Sequence, residues 1–193
     1  MITNNTPTAL ALQNALSNHL QSLGEVADRD GILETPARFV KQLGECLSGY
    51  QDDPAQHVKV FEGDGYHDLV LVRDVTFSSL CEHHVLPFFG TIDIAYLPNE
   101  KILGLSKFAR LIDALSKRLQ VQERITQQLA DILETNLQPH LLIVKISAKH
   151  MCMGMRGVRR PNSSTDTVIV RGDKELYKHY IEQFFHTTKG GRS

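Results

Sequence analysis

The segment LLIVKISAKHMCM, residues 141–153, decides how this chain folds. Val144, Ile146, Ala148, His150 and Cys152 fall on one face of an extended strand, and Lys145, Ser147 and Lys149 fall on the other. Alternation over that length predicts a strand with one buried face. The apolar face closes on a histidine and a cysteine, which along a strand stand roughly 6–7 Å apart.

Three more strands surround it in sequence: LVLVRDVTF (69–77), FFGTIDIAYLP (88–98) with Ile92, Ile94 and Tyr96 alternating, and TDTVIVR (165–171). Helical spacing fits 106–118, through Leu111, Ile112 and Leu115, and 121–137, through Ile125, Leu129, Ile132 and Leu133. A last helix fits 174–186. Upstream, residues 8–23 carry Leu10, Leu12, Leu16, Leu20 and Leu23 along a helix. Thr35 is placed to cap another, Pro36 suits its first position, and Phe39, Val40, Leu43 and Leu47 recur before Gly49. Residues 50–68 are polar and glycine-dotted and read as a connection. Paired strands followed by paired helices predict an α+β fold with an antiparallel sheet of four strands, not alternating βαβ units.

At 193 residues the chain can bury a sizeable core. Its formal net charge of −1 argues against a general nucleic-acid or membrane binder, so an anionic ligand needs a local cationic cluster. Three cysteines cannot all pair within one chain, which favours a reducing compartment. Cys46 lies on an apolar helix face and reads as core. Neither a secretory signal nor a run long enough to span a bilayer is visible, so a cytoplasmic location is expected.

The stretch SSLCEHHVLPFFG sets Cys81 and His84 three positions apart, where thiolate and imidazole can meet one ion in a tight turn. A third ligand has to come from elsewhere, and the strand ending in His150 and Cys152 offers one. Two cysteines and one histidine with an open fourth position form a catalytic zinc pattern, able to lower the pKa of bound water towards about 7. Spacing alone also allows Cys152 as a buried thiol and the histidine pair as a solvated loop.

The words SLCEHH, AYLP, GLSKFAR, QVQERITQQLA and HMCMGMRG follow one another over about residues 77–157, with ETPARFVK (34–41) upstream. By these words the chain resembles the GTP cyclohydrolase I family. The resemblance implies zinc enzymes that open the imidazole ring of GTP, release C8 as formate and close the product to 7,8-dihydroneopterin triphosphate. It implies the tunnelling fold, an antiparallel four-stranded sheet with a helix pair on one face, so that residues 1–50 form a helical arm and 51–193 the catalytic domain. It also implies a homo-oligomer, a decamer of two stacked pentameric rings with active sites between subunits.

Residue by residue, the resemblance assigns Cys81, His84 and Cys152 to zinc, and His83 and His150 to proton transfer. It places Glu123 on the guanine as a carboxylate accepting two parallel hydrogen bonds, and Gln122 as a second purine contact. Lys107, Arg110, Arg156, Arg38 and Lys41 meet the triphosphate, and Ser106 serves a later sugar rearrangement. The opening of the helix that carries Ser106, Lys107 and Arg110 favours an anion on general grounds. The chain departs from the family pattern at Asp93, at Asp173 and in the stretch after Gly157. Three rivals stand beside this reading. One is a family paralogue with altered substrate or metal. Another is the nitrile reductase of 7-deazaguanine biosynthesis, which needs a catalytic cysteine and a nicotinamide. The third is a non-catalytic zinc or nucleotide binder, which has no use for spare histidines beside an open metal position.

Overall fold

Two strands with one apolar face each pair along their whole length. In the computed structural model, which describes residues 6–189, β3 (Pro87–Leu97) and β6 (Leu141–His150) run antiparallel from Phe88 opposite His150 to Leu97 opposite Leu141. β2 (Val70–Cys81) flanks β3, and β7 (Thr165–Gly172) flanks β6, both antiparallel. The architecture is α+β, as expected, but the sheet has five strands, not four. The two-residue β5 (Leu119–Gln120) joins the edge of β2 in parallel, beside Leu80 and Cys81, which makes the sheet mixed. A separate antiparallel pair is formed by β1 (Val60–Glu62) and β4 (Lys101–Leu103). Segments of two or three residues are too short to show a period, so neither addition is visible in the sequence.

The alternation does what burial requires. Ile92, Ile94, Tyr96, Val144, Ile146 and Ala148 share one core with helices α3 (Leu105–Ser116) and α4 (Gln122–Leu137), through Phe108, Leu111, Ile125 and Leu129. Each large aliphatic or aromatic side chain buried there contributes about 1.5–3 kcal/mol. On the opposite face, α6 (Lys178–Lys189) buries Phe184 against Ala95, Leu97, Leu141 and Ile143, covering one end of the sheet. α6 begins four residues later than the sequence predicts. Asp173 holds the intervening turn, its carboxylate accepting the N–H groups of Glu175 and Leu176 at 3.0 Å each.

Asp93 also has a structural task. Arg73 and Asp74 together oppose it in a bulge between Val72 and Val75, with Asp74 at φ 53°. The buried Asp93 carboxylate accepts the Asp74 N–H at 2.9 Å and ties the bulge down.

The chain divides into two compact units at Ser48 and Gly49. The first holds α1 (Pro7–Ser22), whose first turn is capped by the Thr6 hydroxyl accepting the Ala9 N–H, and α2 (Thr35–Cys46). Glu34, not Thr35, occupies the cap position of α2, and no side chain caps it. Among the described residues no helix is long and apolar enough to cross a membrane.

Candidate metal centre and active site

The end of β2 and the start of β3 make the first half of the centre. The Cys81 carbonyl accepts the N–H groups of His84 at 3.3 Å and Val85 at 2.8 Å, and the Cys81 N–H donates to Leu86 O at 2.8 Å. This closes residues 82–85 into a tight turn, with Val85 at φ 53°, an uncommon conformation for a β-branched residue. His84 is thereby folded back, its Nδ1 3.7 Å from the Cys81 sulfur. Glu82 anchors the turn from outside. Its N–H donates to Gln120 O at 3.0 Å, and its carboxylate accepts two hydrogen bonds from Arg124 of α4, at 2.6 and 3.1 Å. This pairing holds the Glu82 carboxyl below its ordinary pKa.

Cys152 supplies the second half, from a different element than the sequence predicts. β6 ends at His150, and Met151–Gly154 form one helical turn, α5, closed by the Met155 N–H on Met151 O at 3.0 Å. The cause lies in the partner strand. β3 begins at Pro87, which has no N–H, so the ladder has nothing to pair beyond Phe88 and His150. Cys152 therefore reaches the site from a helical turn, not one pleat along a strand.

The ligand atoms of Cys81, His84 and Cys152 all lie within 4.8 Å of one another. Tetrahedral zinc with thiolate and imidazole ligands needs donor separations of roughly 3.5–3.8 Å, so small side-chain adjustments suffice. Burial, and then the neighbouring Cys81 thiol, push the Cys152 thiol above its ordinary pKa. A divalent cation held by Cys81 and Cys152 would reverse that preference, because its charge would stabilise both thiolates.

Two further histidines stand beside this cluster. His83 is exposed, its Nδ1 3.8 Å from the Cys81 sulfur and its Nε2 3.8 Å from Glu82. The half-buried His150 stacks flat on Phe88, centroids 4.9 Å apart and planes 1° from parallel. Its Nε2 lies 2.9 Å from Gln122 Oε1. Burial lowers the His150 pKa, and the Glu123 carboxylate opposes that shift.

Glu123 is exposed in the first turn of α4, whereas Gln122 beside it is only 1% exposed. Arg156 is exposed just beyond α5. Ser106, Lys107 and Arg110 do open α3, but at the other end of the sheet. The Leu103 N–H donates to the Tyr96 hydroxyl at 3.3 Å, so α3 starts beside Tyr96. Tyr96 is eight residues along β3 from Phe88, roughly 26 Å in a strand. Arg38 and Lys41 are exposed on α2 in the first unit, with Arg38 paired to Glu34. Glu82, Arg124 and Phe88 have roles that sequence reasoning missed. Glu82 and Arg124 are far apart in the chain, and Phe88 meets His150 only once the β3–β6 register is known.

Comparison with known proteins matches residues 12–189 to the family model described as GTP cyclohydrolase I. The chain is 50% identical over 163 residues to a protein of Clostridioides difficile strain 630 named GTP cyclohydrolase 1, covering 83% of this chain and 86% of that one. It is 44% identical over 162 residues to the Bacillus subtilis strain 168 protein of the same name, covering 83% and 85%. A Rickettsia felis protein, again of that name, is 42% identical over 184 residues, covering 94% and 97%. Among solved structures, an archaeosine synthase QueF-Like in the apo form superposes with a TM-score of 0.43 at 17% identity, covering 54% of this chain and 94% of that one.

Proposed function

The chain belongs to the GTP cyclohydrolase I family and hydrolyses GTP, and from that premise we propose that it does so at a zinc ion held by Cys81, His84 and Cys152. The convergence of these three side chains from the β2–β3 turn and α5, with His150 alongside, carries the reading. Zinc held by these residues would supply Lewis acidity for a hydrolysis near neutral pH.

The chain's own residues do the rest. The Glu123 carboxylate accepts two hydrogen bonds from the guanine N1–H and exocyclic amine and so orients the purine. C8 leaves as formate after two hydrolyses, one for each of its C–N bonds, before the pterin ring closes. His150 hands a proton to the departing ring nitrogen. His83, open to solvent and close to Glu82, exchanges protons with water. Lys107, Arg110, Arg156, Arg38 and Lys41 hold the triphosphate, and Ser106 assists the sugar rearrangement.

Residues 51–193 act as the catalytic domain in a tunnelling-type subunit, with residues 1–50 as a helical arm. The subunits form a homo-oligomer, a decamer of two stacked pentameric rings. The separation between Lys107 and the metal cluster within one chain supports a shared site, since cations for the triphosphate then come from a neighbouring copy. The absence of disulfides among the described cysteines supports a reducing compartment, the cytoplasm.

The test is direct. Purified full-length protein is incubated with GTP and zinc, formate is measured, and the oxidised pterin is read by fluorescence. Both products are expected in equal amounts. Zinc-replete, assembled protein that binds GTP and leaves it unchanged for hours would mean a sensor, not a hydrolase.

A further inference from the structure

An exposed ion pair ordinarily contributes little, because water screens it and two long side chains must be ordered to form it. The pair between Glu82 and Arg124 is built differently. Both oxygens of the Glu82 carboxylate accept from one guanidinium, Oε2 from Nη1 at 2.6 Å and Oε1 from Nη2 at 3.1 Å. This fork is the strong, directional form of a carboxylate–guanidinium contact. The guanidinium is also held from behind. Gln120, only 2% exposed, donates through Nε2 to Leu115 O and to Gln128 Oε1, at 3.0 Å each. A backbone carbonyl can only accept, so the amide orientation is set, and Gln120 Oε1 is left facing Arg124 Nη1 at 3.4 Å.

The pair closes a short path across the site. Glu82 directly follows Cys81 and precedes His83, and Arg124 directly follows Glu123. The path from the metal turn to the purine carboxylate is therefore one peptide bond, one fork and one peptide bond. The main chain makes a parallel link through β5, where Cys81 stands opposite Gln120 and the Glu82 N–H donates to Gln120 O at 3.0 Å. β5 is only two residues long, so the fork adds a side-chain tie where the ladder is short. The separation it sets matters, since a displacement of about 1 Å between reacting groups can cost about 10²-fold in rate.

We propose that Arg124 is a positioning residue: by forking Glu82 it locks the metal turn to the first turn of α4, so that the metal ligands and the Glu123 carboxylate keep one separation, and it does not itself bind the triphosphate. This rests on the reading of Cys81, His84 and Cys152 as metal ligands and of Glu123 as the purine acceptor, and its test is separable from the purine reading.

The experiment is a double-mutant cycle on the full-length protein: Glu82→Gln, Arg124→Gln and both together. Zinc affinity is measured by competition with a chromophoric chelator, without GTP. Each single variant should bind zinc about tenfold more weakly, the lower end of what outer partners of metal ligands supply. At saturating zinc, kcat should fall about tenfold through misplacement, while KM for GTP changes less than about threefold. The double variant should lose no more than the worse single one in either measurement, because the two residues act as a unit. Arg124→Lys keeps the charge without the fork and should lose less than Arg124→Gln but more than the unaltered protein. Losses that multiply in the double variant would give each residue its own task and overturn the proposal. So would a KM raised about tenfold with kcat preserved, the mark of a phosphate-binding cation. A lowered Tm with zinc affinity and kcat unmoved would also overturn it, because the pair would then only stabilise the fold. Zinc competition involves no GTP and tests the lock on the metal turn directly, whereas Glu123→Gln with KM unchanged would defeat the purine reading alone.

Discussion

Phe88→Leu isolates what the stacked ring does for His150. Phe88 is 1% exposed, lies flat on His150, and meets Phe77 edge-on with centroids 5.9 Å apart. Exchanging it for leucine keeps most of the volume, at under about 1.5 kcal/mol, but removes two ring contacts worth about 0.5–1.5 kcal/mol each. The expected loss is about 2–3 kcal/mol, which lowers Tm by about 5–10 °C in a chain of this size. Phe77→Leu is the control, because it removes the edge contact and leaves the stack. It should lower Tm by about 3–6 °C. Thermal unfolding is followed for both at saturating zinc, and formate release is measured well below either midpoint. Phe88→Leu should lose about tenfold in kcat through misplacement of the imidazole, and Phe77→Leu less than twofold. Equal rate losses in the two variants, or no loss in either, would show that the stack does not position His150.

Cys152→Ala leaves two protein ligands and should abolish stoichiometric zinc by metal analysis, together with any rise of Tm on adding zinc. Mixing a Lys107→Gln protein with a His150→Asn protein under conditions that exchange subunits should restore activity that neither has alone; a mixture as inactive as its parts would place both residues in one chain's site. Burial depresses the His150 pKa, so as pH falls the unfolded chain takes up that proton before the native one does. Metal-stripped protein should therefore lose stability below about pH 6.5, and denaturant titrations of His150→Asn should show a shallower decline there, with no difference above pH 7. Val85→Gly relieves a left-handed β-branched residue at about 1–3 kcal/mol, against a glycine entropy penalty of about 0.5–1 kcal/mol. Calorimetry of the metal-free variant should show unchanged or raised Tm, while zinc competition shows weaker binding by a looser turn.

Burial made the fold legible wherever one face of an element was apolar throughout. Ile92, Ile94 and Tyr96, with Val144, Ile146 and Ala148, needed no partner to announce the central strands, and all six are buried in one core. The reading failed where structure depends on distant partners. β2 runs past its apolar part through Ser78 and Ser79 to Cys81, and the Ser79 hydroxyl finds its acceptor at Arg118 O, 3.3 Å away. The alternation His150, Cys152 continues into residues that are no longer a strand, because Pro87 ends the pairing on the neighbouring strand.

Gln122 shows how a pattern can be present and go unread. Counting back along α4 from the buried Leu133, Leu129 and Ile125 reaches Gln122 on the same inward face, while Glu123 and Arg124 point to solvent. A glutamine on the apolar face of an amphipathic helix has to find hydrogen-bond partners inside the protein. Helical period alone therefore separates Gln122 from Glu123: Glu123 is exposed to solvent, and the buried Gln122 meets the His150 imidazole at 2.9 Å.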